Sequence, residues 1–337
     1  MLKDIRVSCS PHISERLSTR SVMIDVIIGL APAMAAAGYY FRIHALILIC
    51  TCVISSVATE WLCNVIRKKP SSLGDFSAVV TGIILALSLP PRLPIWTAVV
   101  GSVFSIAIGK MVFGGLGANI FNPAMVGRTF LTASFGVLMT SWTVPATVDG
   151  TMPAIAPENI VQAKTQATPL AWSKLAIKNS LGADIYSEEQ FKATFTGEVG
   201  GSLGETSVIA LLIGGIYLLI RRTINFHIPL AVLVSAFVFA TIAYWKDSYA
   251  YVQPFFHLCS GGLLLCAFFI ATDPVTAPLT RRGMWIFGIG VGTITMLIRI
   301  VGEYPEGVMF SILLMNAVTP LIDRLCKRIP TGGKPGK

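Results

Sequence analysis

The chain has 337 residues, of which 54% are hydrophobic and only 13% are charged, and its mean hydropathy is +0.72. Ordinary soluble domains carry about 25% charged residues, so this composition excludes a typical soluble protein and indicates an integral membrane protein. The net charge of +9 does not indicate nucleic-acid binding, because the positive residues stand at the ends of apolar runs and do not form one patch.

Eight apolar runs are long enough to cross a bilayer as helices. Two shorter runs, at 76–89 and 255–271, each stop at a proline cluster, which predicts broken or re-entrant helices. We therefore expect an all-α polytopic membrane protein with about ten transmembrane helices. The eight longer runs lie at 21–41, 44–65, 95–113, 123–142, 206–220, 226–245, 284–301 and 306–325.

The two short runs occupy matching positions in two similar halves, 21–142 and 206–325, and each is followed by a Gly-rich helix. Five crossings per half is an odd number, so the second half must enter the membrane from the opposite side. The sequence thus predicts two inverted five-helix repeats whose broken helices meet near the midplane.

One long polar segment, 143–205, joins the halves. Positive residues cluster at the N-terminal segment 1–20, the C-terminal tail 326–337 and alternate loops, which predicts that both termini are cytoplasmic. The segment 143–205 falls on the opposite, extracytoplasmic face. The first twenty residues lack the apolar core of a signal peptide, so we expect no cleaved signal.

Few sequence patterns indicate metal or nucleotide chemistry. The seven cysteines form no CxxC pair and mostly lie in apolar runs, which favours packed thiols. The four histidines are not at metal-ligand spacing, and there is no Walker loop and no GxGxxG after a strand. We predict no metal site and no catalytic residue in this chain, so that NAD, if involved, binds another subunit.

The polar segment contains Thr165-Gln166-Ala167-Thr168-Pro169-Leu170. This stretch resembles the covalent FMN site of the family that joins the D subunits of Rnf-type electron-transport complexes and the B subunits of sodium-pumping NADH:quinone oxidoreductases. The resemblance implies an FMN phosphoester on Thr168, with Thr165 and Ala167 as its neighbours. Gln162 and Gln166 stand where that family usually has Asp and Gly.

The resemblance covers almost the whole chain. Its most specific stretch is GGLGANIFNPAMVGR at 114–128, and GSLGETS at 201–207 and ATDPV at 271–275 also match. The short N-terminus is typical of the D-subunit branch. The resemblance implies a subunit in the bacterial cytoplasmic membrane that relays electrons between ferredoxin and NAD and couples them to Na⁺ or H⁺ transport.

The same resemblance implies further cofactors and partners. A second, non-covalent flavin of the riboflavin type would lie among the helices. The expected partners are membrane subunits that carry iron-sulfur clusters and another covalent FMN, and soluble subunits that interact with NAD and ferredoxin.

The stretch at 114–128 also has a physical interpretation of its own. Its glycines allow close approach to the backbone, and Asn119 and Asn122 offer amides beside the free N–H groups of a helix start. Such a site suits a flavin ring edge or an anion. The alternative is a plain helix cap, because Asn before Pro is a strong capping signal.

Several charged residues fall inside or beside apolar runs, where a charge needs a partner or an aqueous cavity. Arg128 is a candidate functional residue, with a snorkelling side chain as the alternative. Asp273 ends a broken helix, where unwound carbonyls can join it around a cation, although a capping role is equally compatible. The full set of candidate ion or proton ligands is Asp25, Glu60, Asp75, Glu205 and Asp273.

Two other functions fit parts of the pattern. Inverted repeats with broken helices also occur in stand-alone small-solute channels and transporters. A structural scaffold that has lost its flavin site would explain Gln162 and Gln166. A flavin on the polar segment discriminates among the three, because only the redox subunit requires it.

Overall fold

The computed structural model describes residues 18–142, 170–171, 173–174, 195, 197, 200–205, 207–247, 251–302, 304 and 306–327. All regular elements within these ranges are helical, which confirms the all-α prediction. The helices are α1 (Thr19–Ile66), α2 (Ser77–Leu87), α3 (Ile95–Ile106), α4 (Pro123–Ser134), α5 (Gly136–Met139), α6 (Val208–Ile220), α7 (His227–Lys246), α8 (Pro254–Cys259), α9 (Leu263–Leu265), α10 (Arg281–Ile300) and α11 (Val308–Leu325).

Within the described ranges, four helices, α1, α7, α10 and α11, are long and apolar enough to cross a membrane. With 48 residues, α1 is about 72 Å long at 1.5 Å per residue, roughly twice what one crossing needs. Its backbone leaves helical geometry at Arg42, where φ is 56° and ψ is −140°. This break falls between the predicted helices 21–41 and 44–65, so α1 consists of two crossing-length helices.

The two short apolar runs form interrupted helices. The helix α2 is buried along ten of its eleven residues. Beyond its end, the carbonyls of Leu87 and Leu89 accept hydrogen bonds from the N–H groups of Gly204 (2.6 Å) and Leu203 (3.1 Å). A distant segment thus satisfies backbone groups that the helix leaves free, as an apolar environment requires.

The second interrupted helix breaks at its middle. The helix α8 ends at Cys259, and Ser260 to Gly262 form a non-helical link in which Gly261 has a φ of +69°. The chain then resumes as α9 and a π-helical turn, Cys266–Ile270. The prolines of the following TDPVTAP stretch end the run as expected. The count of ten crossings and the inverted relation of the halves stay predictions.

Small residues bring the helices of the two halves into close contact. The carbonyl oxygen of Gly29 on α1 lies where a Cβ of Gly214 on α6 would stand, and Phe269 lies 3.0 Å from the same position. Close backbone approach through glycine is typical of membrane helix pairs, because dispersion contacts replace the hydrophobic effect there. Gly29 and Gly214 therefore hold α1 against α6.

We predict that Gly214→Ala destabilises the protein, because the added methyl group must push α6 away from α1. The expected loss is about 1–3 kcal/mol, typical of overpacking. Gly136→Ala is the matched control, since nothing lies within 4 Å of the Cβ position of Gly136. Thermal unfolding in detergent measures both, and equal midpoints for the two variants would contradict the role given to Gly214.

Candidate functional site

An open cleft lies between α1, α2 and the loops that precede α4 and α10. Its empty volume, including the space that opens to the surroundings, is about 700 Å³. We call it the amide cleft, because its polar lining includes Asn119 and Asn122. Its lining also includes Ser77, Lys110, Phe268, Phe269, Thr272 and Asp273.

The two asparagines of the amide cleft have different environments. Asn122 caps α4: its Oδ1 accepts from the Met125 N–H at 3.3 Å, and Pro123 follows at the first helical position. The capping interpretation of Asn122 is thus confirmed. Asn119 donates through Nδ2 to the Phe121 carbonyl at 3.2 Å, and its buried Oδ1 has no hydrogen-bond partner among the described residues. Asn119 therefore keeps an acceptor for a ligand in the cleft.

Asp273 also lines the amide cleft. Its Oδ1 accepts from the Val275 N–H at 3.2 Å, and its Oδ2 accepts from the Thr276 hydroxyl at 3.2 Å. These bonds form a turn directly after the π-helical end of the second interrupted helix, so the capping interpretation holds. Each carboxylate oxygen can accept a further bond, so the turn leaves room for an ion ligand role.

A buried ion pair contributes one residue, Lys110, to the lining of the cleft. The Lys110 Nζ lies 2.8 Å from Glu60 Oε1 and donates to the Ser77 hydroxyl at 2.6 Å, and both charged side chains are at most 1% exposed. Ser77 donates in turn to Asp75 Oδ1 at 2.6 Å. The π-helical turn Ala107–Met111, which continues α3, carries Lys110 to this position. Two of the candidate carboxylates, Glu60 and Asp75, are therefore joined by hydrogen bonds through Lys110 and Ser77.

We predict that Lys110→Met destabilises the protein by about 3–5 kcal/mol, because it leaves Glu60 charged and unpaired in an apolar interior. The double variant Glu60→Gln/Lys110→Met removes both charges and should recover most of that loss. Detergent unfolding midpoints measure the effect. A double variant no more stable than the single one would contradict the pairing.

Asp25 is held by side chains from α6 and the loop that follows it. Its Oδ1 accepts from the Tyr217 hydroxyl at 3.2 Å and lies 3.4 Å from Arg221 Nη2, while its Oδ2 accepts from the Thr223 hydroxyl at 3.0 Å. Only 5% of Asp25 is exposed. These contacts tie α1 to the end of α6, which is a structural use of the carboxylate.

A second polar site lies at the break between α8 and α9. We call it the charge cluster; it consists of Arg128, Glu205, Arg299 and Glu306. The Arg299 guanidinium donates to the carbonyls of His257 (2.7 Å) and Ser260 (3.1 Å) and lies 3.3 Å from Glu306 Oε1. Arg299 is 1% exposed, so the charge cluster is buried. Arg299 thereby satisfies carbonyls freed by the helix break.

The carboxylates of the charge cluster converge on Gly262. The Gly262 N–H donates to Glu306 Oε2 at 3.0 Å. A Cβ at Gly262 would lie 3.5 Å from Glu205 Oε1 and 3.8 Å from both Arg128 Nη1 and Glu306 Oε2. Arg128 is therefore buried against acidic partners, and the snorkelling alternative is wrong, because only 4% of its side chain is exposed.

The predicted flavin residues Thr165, Ala167 and Thr168 lie outside the described residues, so their position stays a prediction. The nearest described residues that follow them are Leu170, Ala171, Ser173 and Lys174. Leu170 is 3% exposed, and Lys174 Nζ donates to the Gly302 carbonyl at 2.6 Å. This part of the connecting segment therefore contacts the region between α10 and α11.

Three residues of these sites were not among the sequence candidates: Lys110, Arg299 and Glu306. Lys110 and Arg299 stand near the ends of apolar runs. At such positions the sequence indicates charges that set the orientation of the protein in the membrane. Positions near helix ends fit that interpretation, but both side chains are buried. Lys110 bonds Glu60 of α1 and Ser77 of α2, and Arg299 bonds the carbonyls at the α8–α9 break. Glu306 is a carboxylate directly before an apolar run. This position is the sequence signal that could have identified it as the partner of Arg299.

The helical architecture, the long apolar helices and the buried charges at interrupted helices define an integral membrane protein with internal polar sites. Comparison with known proteins identifies its family. The model of the NQR2, RnfD, RnfE family matches residues 6–332, and the chain belongs to this family.

Curated relatives of similar length agree with this assignment. The chain is 46% identical to the D subunit of the Na⁺-translocating ferredoxin:NAD⁺ oxidoreductase complex of Acetobacterium woodii, over 96% of this chain and 94% of the relative. It is 42% identical to the D subunit of the proton-translocating complex of Clostridium ljungdahlii, over 97% and 96%. It is 40% identical to the D subunit of an ion-translocating oxidoreductase complex of Stutzerimonas stutzeri, over 93% and 92%.

Proposed function

We propose that this chain is the D subunit of an Rnf-type ferredoxin:NAD⁺ oxidoreductase complex and couples electron transfer to Na⁺ or H⁺ transport. The observation that carries this proposal is the 46% identity, over 96% of the chain, to the D subunit of such a complex. Relatives named for Na⁺ and for protons are almost equally similar to it. The partners would be the other membrane and soluble subunits of the complex.

The proposed membrane arrangement has ten crossings in two inverted repeats, with cytoplasmic termini and an extracytoplasmic segment 143–205. The break of α1 at Arg42 and the interruptions at 87–89 and 260–262 support it. Interrupted backbone is tolerated at membrane depth only where protein satisfies it, and Gly204 and Arg299 provide such partners here.

FMN, attached through its phosphate to Thr168, would supply the one-electron and two-electron chemistry that side chains lack. Two described features fit this cofactor. Leu170, two residues after the threonine, is anchored in the protein. The charge cluster beside it holds buried arginines, and Arg128 Nε has no hydrogen-bond partner among the described residues.

The amide cleft is the proposed place for a second, non-covalent flavin of the riboflavin type. Phe268 and Phe269 offer aromatic surface, and the free Asn119 Oδ1 can accept from a ring N–H. Lys110, which is paired with Glu60, also lines this cleft. These residues would orient the ring by stacking and by one directed hydrogen bond.

We expect Thr168→Ala to abolish covalent flavin, because the phosphoester requires the threonine oxygen. Thr165→Ala is the matched control and should retain it. Intact mass of the purified chains, expressed with the flavin transferase, and flavin fluorescence in denaturing gels measure the result. An unmodified mass for the parent chain, or a flavin that survives Thr168→Ala, would contradict the proposed attachment.

Asp273 is the proposed cation ligand of the amide cleft, because its carboxylate ends an interrupted helix and lines the open space. We predict that Asp273→Asn lowers the apparent affinity for the coupling ion roughly tenfold or more, since a charged hydrogen-bond partner contributes about 1.5–3 kcal/mol. Electron transfer at saturating ion should persist. Ion uptake by vesicles carrying the complex, as a function of Na⁺ and of pH, measures this effect.

Thr276→Ala is the control for Asp273, because it removes a turn partner and keeps the carboxylate. It should leave the ion affinity near that of the parent complex. Equal losses in Asp273→Asn and Thr276→Ala would assign Asp273 to turn stability instead of ion binding. A stand-alone channel would transport ions or solutes without reductant, so the vesicle assay without ferredoxin also tests that alternative.

A further inference from the structure

Two described parts of the connecting segment 143–205 reach the interrupted helices. The Leu170 side chain lies against the α8–α9 break, where its Cδ1 would be 2.5 Å from a Cβ on Gly261. At the other end, Leu203 and Gly204 pair with the carbonyls beyond α2. The segment thus contacts both breaks, and Glu205 directly follows one of these contacts.

The two carboxylates of the charge cluster are not equally stabilised. Both oxygens of Glu306 are bonded: Oε2 by the Gly262 N–H, and Oε1 by Arg299 and the Val308 N–H. Glu205 Oε2 accepts a long bond of 3.4 Å from the Ser202 N–H. Its Oε1 has no hydrogen-bond partner among the described residues, and Arg128 Nη2 lies 3.8 Å away, beyond hydrogen-bond distance.

Glu205 is therefore the carboxylate of the charge cluster that can accept a proton at the lowest cost. Protonation of Glu306 would weaken the bonds that it accepts from Arg299 and two backbone N–H groups, because those bonds depend on its negative charge. Protonation of Glu205 at Oε1 breaks no hydrogen bond, because that atom has no partner among the described residues. With two arginines and two glutamates ionised the cluster is neutral, so an added negative charge nearby favours uptake of one proton.

The surroundings of Glu205 contain few other titratable groups. Arg128 faces it from α4, Glu306 from the start of α11, and Arg299 of α10 lies beyond Glu306. Other titratable groups at this break, among the described residues, are His257, which is buried beside Arg299, Cys266, which lies near Glu306, Arg299 and Arg128, and Cys259, the last residue of α8.

The proposed flavin residue is close along the chain to Leu170, which contacts the α8–α9 break. Thr168 stands two residues before Leu170, and two residues span at most about 7 Å. A cofactor on that threonine would therefore begin near the α8–α9 break. Its reduction would add negative charge near a neutral, buried cluster, where charge interactions are weakly screened.

We propose that Glu205 is a proton-binding site of the redox cycle. When the flavin on Thr168 gains an electron from a one-electron donor of the complex, the Glu205 carboxylate takes one proton from water and forms an O–H bond. When the electron leaves, that bond breaks and the proton returns to water. Arg128 positions the carboxylate and Glu306 stays ionised. This inference rests on the proposed function, since it requires a flavin in this chain.

Infrared difference spectra, reduced minus oxidised, test the proposal on the full chain purified with its flavin. We expect the carbonyl-stretch band of a protonated carboxylic acid to appear on reduction, to shift in D₂O, and to be lost in Glu205→Gln. Glu306→Gln is the matched comparison in the same cluster and should keep the band. A pH-indicator dye should record one proton fewer taken up per electron by Glu205→Gln.

The outcomes separate this inference from the function on which it rests. A chain without flavin contradicts the attachment at Thr168. A flavin-loaded chain that shows no such band, or a band that persists in Glu205→Gln, overturns the role of Glu205. If Glu205→Gln does not assemble, Glu205→Asp decides the question: a band at a shifted frequency supports the assignment, and an unshifted band overturns it.

Discussion

An apolar interior cannot hydrate charges or free backbone groups, so each one must find a partner within the protein. This constraint shapes the two interrupted helices that contain α2 and the α8–α9 break. The carbonyls beyond α2 are bonded by Leu203 and Gly204, and those at the α8–α9 break are bonded by Arg299. The connections between helices are therefore part of the interior, and they bring distant polar residues into it.

The two polar sites differ in how completely they are satisfied. In the amide cleft, Asn122 and Asp273 are engaged in local capping and turn bonds, while Asn119 keeps a free acceptor. In the charge cluster, Glu306 is fully bonded and Glu205 is not. Unsatisfied buried polar atoms are costly, so the free Asn119 Oδ1 and the free Glu205 Oε1 are the physical arguments for ligand binding in the amide cleft and for proton binding in the charge cluster.

Glycine determines how closely these parts approach. Gly29 and Gly214 let two helix backbones touch, and Gly262 lets three charged side chains converge at one point. Gly261 adopts a positive φ at the break, a conformation in which a side chain would also collide with Leu170. Such positions explain why an apolar chain needs specific residues where its helices are interrupted.

The sequence by itself determined the membrane class, the positions of the helices and the two short runs, because apolar length and proline punctuation are local properties. It also indicated Asn122 as a cap and Asp273 as the end of a broken helix. Only the tertiary structure decided that Lys110 pairs with Glu60 and that Arg128, Glu205, Arg299 and Glu306 form one cluster. Those partners are up to 178 residues apart, the separation of Arg128 and Glu306, and their meeting depends on loops that fold back onto helix breaks, which no local pattern encodes.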